Sequence, residues 1–301
     1  MNSISPLASP EIVIEKLKSL GSLIKTRIMI WVVVATLLGF WGAENSLKLS
    51  MLVIATITGT ALVCSGSGVL NNVLERDVDR KMKRTRDRVL PTGLVTPRSA
   101  IILGFSFVIV GIAILWQWAG IMPASLAILS ALLYLLVYTP LKRISWINTS
   151  VGAIPGAIPP VIGWSASSGS LELGAWLLFA LLFIWQHPHF YAIAWIYKDD
   201  YRVAGLRMAS EIGTKGQFLA IQVIVFLIIL MPVSFSLSTV GIGGTWYIIG
   251  STTLGLGYLI AGIRFARRRN PARARILLRA SVLYLSLIVL VLSIDRTLTK
   301  I

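Results

Sequence analysis

Charge is scarce in this chain. Only 13% of its 301 residues are charged, while 56% are hydrophobic; a water-soluble domain carries about a quarter charged residues. The shortage excludes a soluble globular protein and points to a polytopic membrane protein. Cysteine is almost absent: Cys64 stands alone in an apolar run, so no intrachain disulfide can form and the redox compartment is left unmarked. Acidic residues number 12 against 28 basic ones, a net charge of +16. In a soluble chain that excess suggests nucleic acid. In a membrane protein it follows from cations gathering in cytosolic loops, so no nucleic-acid partner is expected. The N-terminal stretch has no continuous apolar core of the signal-peptide kind. Residues 1–26 therefore read as a cytosolic leader or surface helix, ahead of one membrane domain over 27–301.

What the chain has in abundance is apolar windows long enough to cross a bilayer, roughly 20 residues each. Nine are expected, at about 27–44, 51–74, 99–119, 121–139, 148–167, 173–196, 217–239, 246–264 and 279–295, giving an all-α integral membrane bundle. The fifth, SVGAIPGAIPPVIGW, is rich in Gly and Pro. Such a helix must bend, and its freed carbonyls need neighbours or water, which places it in the bundle interior. With nine crossings, 25 of the 28 cations fall on one side, leaving Lys48, Arg296 and Lys300 on the other. The expected orientation is a cytosolic N-terminus and an outer C-terminus.

The charge that is present is concentrated. Between Asn71 and Arg88, NNVLERDVDRKMKRTRDR holds seven cations and four anions at the end of the second span. Asn71, Glu75 and Asp79 are spaced four apart, and on a continuing helix they share one face. Oxygen ligands in such a row suit a hard cation such as Mg²⁺, which commonly binds through one or two carboxylates plus substrate phosphates. Arg84 and Arg88, also four apart, can hold phosphate oxygens. The competing reading is a solvated basic loop whose carboxylates relieve its self-repulsion. A second loop, YKDDYRVAGLRMAS, lies on the same expected side and offers Asp199 and Asp200 beside Lys198, Arg202 and Arg207. Two acidic, Arg-containing loops facing each other across a cavity could hold Mg²⁺ and a diphosphate between them. Before the second loop, inside the sixth span, WQHPHFYAIAW carries the only histidines, His187 and His189. Ionisable groups within a span are functional candidates. Two residues apart, they point to different helix faces unless Pro188 distorts the turn, and packing is the simpler role for His187.

These segments together resemble the UbiA superfamily of intramembrane prenyltransferases, and within it the branch that prenylates haem. The superfamily's first Asp-rich motif falls on Asn71, Glu75 and Asp79, and continues through Met82, Arg84, Thr85 and Arg88. The haem branch is marked by Trp185, Gln186, Pro188, His189 and Phe190, then by Asp200, Tyr201, Gly205 and Met208. The likeness covers essentially the whole chain. It departs at Glu75, where Asp is usual, and in the second loop, where Val203 and Ala204 occupy the positions four after Asp199 and Asp200.

The resemblance implies a nine-helix bundle with a cavity opening near the cytosolic face of a bacterial inner membrane. It implies farnesyl transfer from farnesyl diphosphate to a vinyl group of protohaem IX, giving hydroxyethylfarnesyl haem and diphosphate. Mg²⁺ would then be held by Asn71, Glu75, Asp79, Asp199 and Asp200. Arg84, Arg88 and Lys198 would bind diphosphate, and His189 would contact haem through iron or a propionate. Membrane lipid and a downstream haem-modifying or terminal oxidase are the implied partners. An aromatic quinone precursor is the alternative acceptor, and a haem-handling or transport protein the alternative class.

Overall fold

The computed structural model describes residues 21–43, 50–213 and 216–298. Most of the expected leader, residues 1–20, lies outside the described residues. Among these residues the fold is helical throughout, without strands, and eight helices are long and apolar enough to cross a membrane. In chain order they are α1 (Thr26–Ala43), α2 (Met51–Leu74), α4 (Pro97–Ile114, continued by a π-turn over Leu115–Ala119) and α5 (Ile121–Leu132, continued to Leu141). Then come α8 (Leu173–Ile196), α10 (Gln217–Thr239), α11 (Thr245–Arg267) and α12 (Pro271–Leu298). Short loop helices α3 (Arg76–Asp79) and α9 (Lys198–Val203) follow α2 and α8.

Local chemistry sets the helix starts. The Ser50 hydroxyl accepts from the Val53 N–H at the start of α2, and the Thr96 hydroxyl accepts from the Ser99 N–H at the start of α4, with Pro97 in the first turn. The expected fifth span is two ten-residue helices, α6 (Asn148–Ala157) and α7 (Pro159–Ser168), broken at Ile158. Pro159 lacks the N–H that would bond the Pro155 carbonyl, and the Ser130 hydroxyl of α5 donates to that carbonyl instead, at 3.2 Å. Gln186 of α8 donates to the Ala153 carbonyl at 3.2 Å. The carbonyl freed at the bend is thus satisfied by a neighbouring side chain, as interior placement requires.

The basic stretch 264–279 is not a long loop. Helix α11 runs to Arg267 and α12 restarts at Pro271, so most of the arginines ride on helix ends. Arg is a good helix former and Pro fits a first turn, which carries both helices past the apolar span.

Glycine decides how closely α1 and α7 approach. A Cβ on Gly163 would collide with the Thr36 carbonyl, and one on Gly39 with the Pro160 carbonyl. These two helices therefore meet backbone to backbone, in the small-residue packing typical of membrane bundles. The same device joins α2 to α4 at Gly59 against Gly111, and at Gly66 against Gly104.

Candidate active site

Thr60, Cys64 and Ser67 recur along one face of α2 and form one wall of a cavity of about 220 Å³. Val32 of α1, Tyr134 of α5, Ile162 of α7 and Phe190 of α8 close the other sides. The lining is mainly apolar. Thr56 turns its hydroxyl back onto the Leu52 carbonyl of its own helix. Thr60 and Ser67 do not, and their buried hydroxyls have no protein partner, as expected of groups beside space held for a ligand.

One turn above Ser67 the wall becomes polar. Fully buried Asn71 accepts from the Lys25 ammonium through Oδ1 and donates to the Thr139 hydroxyl through Nδ2, at 2.9 Å. Lys25 also donates to Tyr134 Oη at 3.2 Å. It sits immediately before α1 with φ at +54°, a left-handed conformation that costs a non-Gly residue about 1–2 kcal/mol and marks a position over-determined by its surroundings. Glu75 accepts from Lys142 Nζ at 2.7 Å, and the Lys142 ammonium lies 4.3 Å from the Tyr138 ring centre. Asp79, only 2% exposed in its side chain, pairs with Arg88 at 2.8 Å.

Electrostatics bind these groups into one cluster. Burial pushes the Lys25 ammonium down to about 7, with Glu75 pulling the other way. Burial alone would raise Glu75, but Lys142, Lys25 and Arg88 outweigh it and hold the carboxyl below its ordinary value. Glu75 is therefore a carboxylate at neutral pH, ringed by cations.

The sequence pattern and the structure differ in detail here. Helix α2 ends at Leu74, and Glu75 is its non-helical cap, with φ −97° and ψ 3°. The face shared by Asn71, Glu75 and Asp79 is therefore interrupted, though the Asp79 N–H still bonds the Glu75 carbonyl at 2.8 Å. Asp77 and Asp87 make only exposed pairs with Arg80 and Arg86.

The second loop reaches the first through Asp200, whose Oδ2 accepts from the Arg84 backbone N–H at 3.4 Å. The Arg84 guanidinium stacks 5.0 Å from the Tyr197 ring centre. Asp199 and Lys198 are not drawn in. Asp199 pairs with Arg202 at 3.6 Å on an exposed face, and the Lys198 ammonium lies over Trp195. Spacing missed Lys25 and Lys142, because both read as ordinary topological cations at the ends of spans.

The two histidines separate cleanly. Buried His187 donates from Nδ1 to the Phe183 carbonyl at 2.7 Å, contacts Ser150 Oγ through Nε2 at 3.0 Å, and stacks on Phe226. Both its nitrogens are occupied. His189 faces α12, with Nδ1 2.7 Å from Ser281 Oγ. Ser281 Oγ also lies 2.6 Å from the Leu278 carbonyl. Trp185 stacks on the His189 ring and is fixed by its indole N–H donating to the Ser281 carbonyl at 2.8 Å.

Asn71, Glu75, Asp79 and Asp200 supply oxygen donors only, a set suited to a hard divalent cation. Among the described residues no three His, Cys, Asp or Glu side chains converge into a metal shell. Glu75 and Asp79 each face a basic side chain instead, and such a set needs substrate oxygens to complete it.

The UbiA prenyltransferase family profile matches residues 32–288. A protoheme IX farnesyltransferase of Solibacter usitatus is 44% identical over 241 residues, covering 80% of this chain and 82% of that relative. A protoheme IX farnesyltransferase of Koribacter versatilis is 36% identical over 99% of this chain and all of its own length. Among solved structures, a UbiA homolog from Archaeoglobus fulgidus bound to DMAPP and Mg²⁺ superposes with a TM-score of 0.67 at 14% identity. The match covers 91% of this chain and 99% of that one.

Proposed function

This chain belongs to the UbiA prenyltransferase family, and from that premise we propose that it transfers the farnesyl group of farnesyl diphosphate to a vinyl group of protohaem IX. The observation that carries the reading is the junction of an apolar cavity with a mouth of paired charges. The cavity takes the prenyl chain and the mouth takes the diphosphate. The acceptor follows from the relatives' activity.

Asn71, Glu75, Asp79 and Asp200 would hold Mg²⁺, which when bound neutralises charge on the departing diphosphate. Lys25, Lys142 and Arg88, now spent on Asn71, Glu75 and Asp79, would turn to the diphosphate oxygens, with Arg84 beside them. As the C1–O bond breaks, these cations stabilise the negative charge that develops. The apolar walls keep water from the allylic cation until the vinyl carbon bonds to C1. Water then adds to the haem-side cation, giving the hydroxyethylfarnesyl group, and its proton leaves to the released diphosphate. The mouth lies on the cytosolic side of the membrane.

His189 bears on the acceptor. With Nδ1 engaged by Ser281, Nε2 is the nitrogen left for haem, and a second hydrogen bond of this kind is usual for metal-bound His. His189→Ala is expected to weaken protohaem binding about 10-fold or more and to change the visible spectrum of the bound haem. An unchanged spectrum would remove His189 from the iron.

The whole reading is tested by expressing the chain in cells that lack hydroxyethylfarnesyl haem and extracting their haems. The expected result is its appearance. A well-inserted protein that yields none would rule out protohaem as the acceptor.

A further inference from the structure

The cavity ends at a defined depth. Its deepest lining residues are Thr60 on α2, Ala127 on α5 and Ile162 on α7. From Thr60 to Asn71 is eleven residues of helix, a rise of about 16 Å. From Ala127 to Tyr138, at the polar mouth, is the same count along α5, its last six residues wound as a wider π-helix that rises less per residue. The depth is set by the regular helix α2. It matches an extended farnesyl chain and falls short of a geranylgeranyl one.

Ile162 is the one large side chain of the three at this level. It packs in a cluster with Val63 and Leu115, and Leu115 is pinned because it fills the space over Gly59. Its neighbour Gly163 lies against the Thr36 carbonyl, so α7 cannot slide away from α1 at this level. The floor is therefore held by backbone contacts. One turn further out, the buried positions on the same three helices include Thr56, Ala124 and Ala166, with Phe40 of α1 and Val53 of α2 packed against Ala166.

Resting on the prenyl-transfer reading above, we infer that Ile162 is the residue that selects prenyl length, its side chain stopping the tail at fifteen carbons. Removing it deepens the cavity by the space its own side chain fills. Adding bulk at Ala127 raises the floor by part of a turn.

The test uses the purified full chain in lipid nanodiscs, with protohaem and either geranyl, farnesyl or geranylgeranyl diphosphate, and products read by mass. The wild type should favour farnesyl. Ile162→Ala should raise the geranylgeranyl-to-farnesyl ratio of kcat/KM by roughly 10-fold or more, the scale of discrimination a pocket gains from a few methylenes. Ala127→Leu should shift preference toward geranyl by a similar factor. An active Ile162→Ala protein with the wild-type ratio overturns the assignment. If that variant is not recovered folded, retained farnesyl preference in Ala127→Leu overturns it instead. Failure of the wild type to prenylate protohaem with any of the three would fall on the functional reading, not on the floor.

Discussion

Replacing Asp79 with Ala should lower farnesyl transfer by about 100-fold or more, the loss typical when one group stabilising transition-state charge is removed, while leaving the protein inserted and folded. The two halves of that expectation come from different observations. Asp79 is almost completely buried yet touches one cation, Arg88, at 2.8 Å. Arg88 is 29% exposed in its side chain, so water can take over its solvation when the carboxylate is lost. The fold therefore loses little. On the proposed mechanism the metal would lose one of its few carboxylates, and the diphosphate the charge balance that lets it leave. Turnover of purified Asp79→Ala within a few-fold of wild type would take Asp79 out of the shell. Glu75 offers a finer version of the experiment. Glu75→Asp keeps the charge and should retain activity, whereas Glu75→Gln keeps the shape and should be severely impaired. Equal activity in the two would argue against metal ligation there.

The parts of this molecule that were legible in the sequence are those where a residue's identity and its role coincide. Apolar runs mark spans because the bilayer leaves no other choice, and the Pro-rich SVGAIPGAIPPVIGW forecasts a bent interior helix, found as α6 and α7. Glu75 and Asp79 stand out because carboxylates at a span end need a reason. Lys25 and Lys142 were illegible for the opposite cause. Positive charge at a cytosolic span end is what topology already demands, so nothing distinguishes a lysine that serves the site from one that serves orientation. Only the fold shows that Lys25 turns onto Asn71 and Lys142 onto Glu75. Asp199 and Lys198 show the other direction, since a DD pair looks like a ligand set while in the fold α9 turns Asp199 outward onto Arg202 and Lys198 lies over Trp195. The closeness of α1 and α7 was equally hidden. Gly39 and Gly163 are two of 25 glycines, and which of them face another backbone depends on long-range packing.

Lys142→Met should be damaging twice over, in ways that can be separated. Lys142 and Glu75 are both about seven-eighths buried, 2.7 Å apart. Removing the ammonium leaves a carboxylate in the interior without its partner, a change that costs about 3–5 kcal/mol unless Glu75 takes up a proton. The single variant should therefore show a lower unfolding midpoint in detergent and little activity, a result that a structural role would also produce. The double variant Glu75→Gln, Lys142→Met removes both charges. With no orphan left, most of the lost stability should return, because replacing a buried pair by neutral groups is often close to neutral. Activity should not return, since on the proposed mechanism a metal ligand and a diphosphate cation would both be gone. Coupling of this kind between contacting residues is what a double-mutant cycle isolates. A double variant that regains turnover along with stability would show that the pair only holds the mouth in shape. One that regains stability and stays inactive shows that the pair does more than hold the mouth in shape.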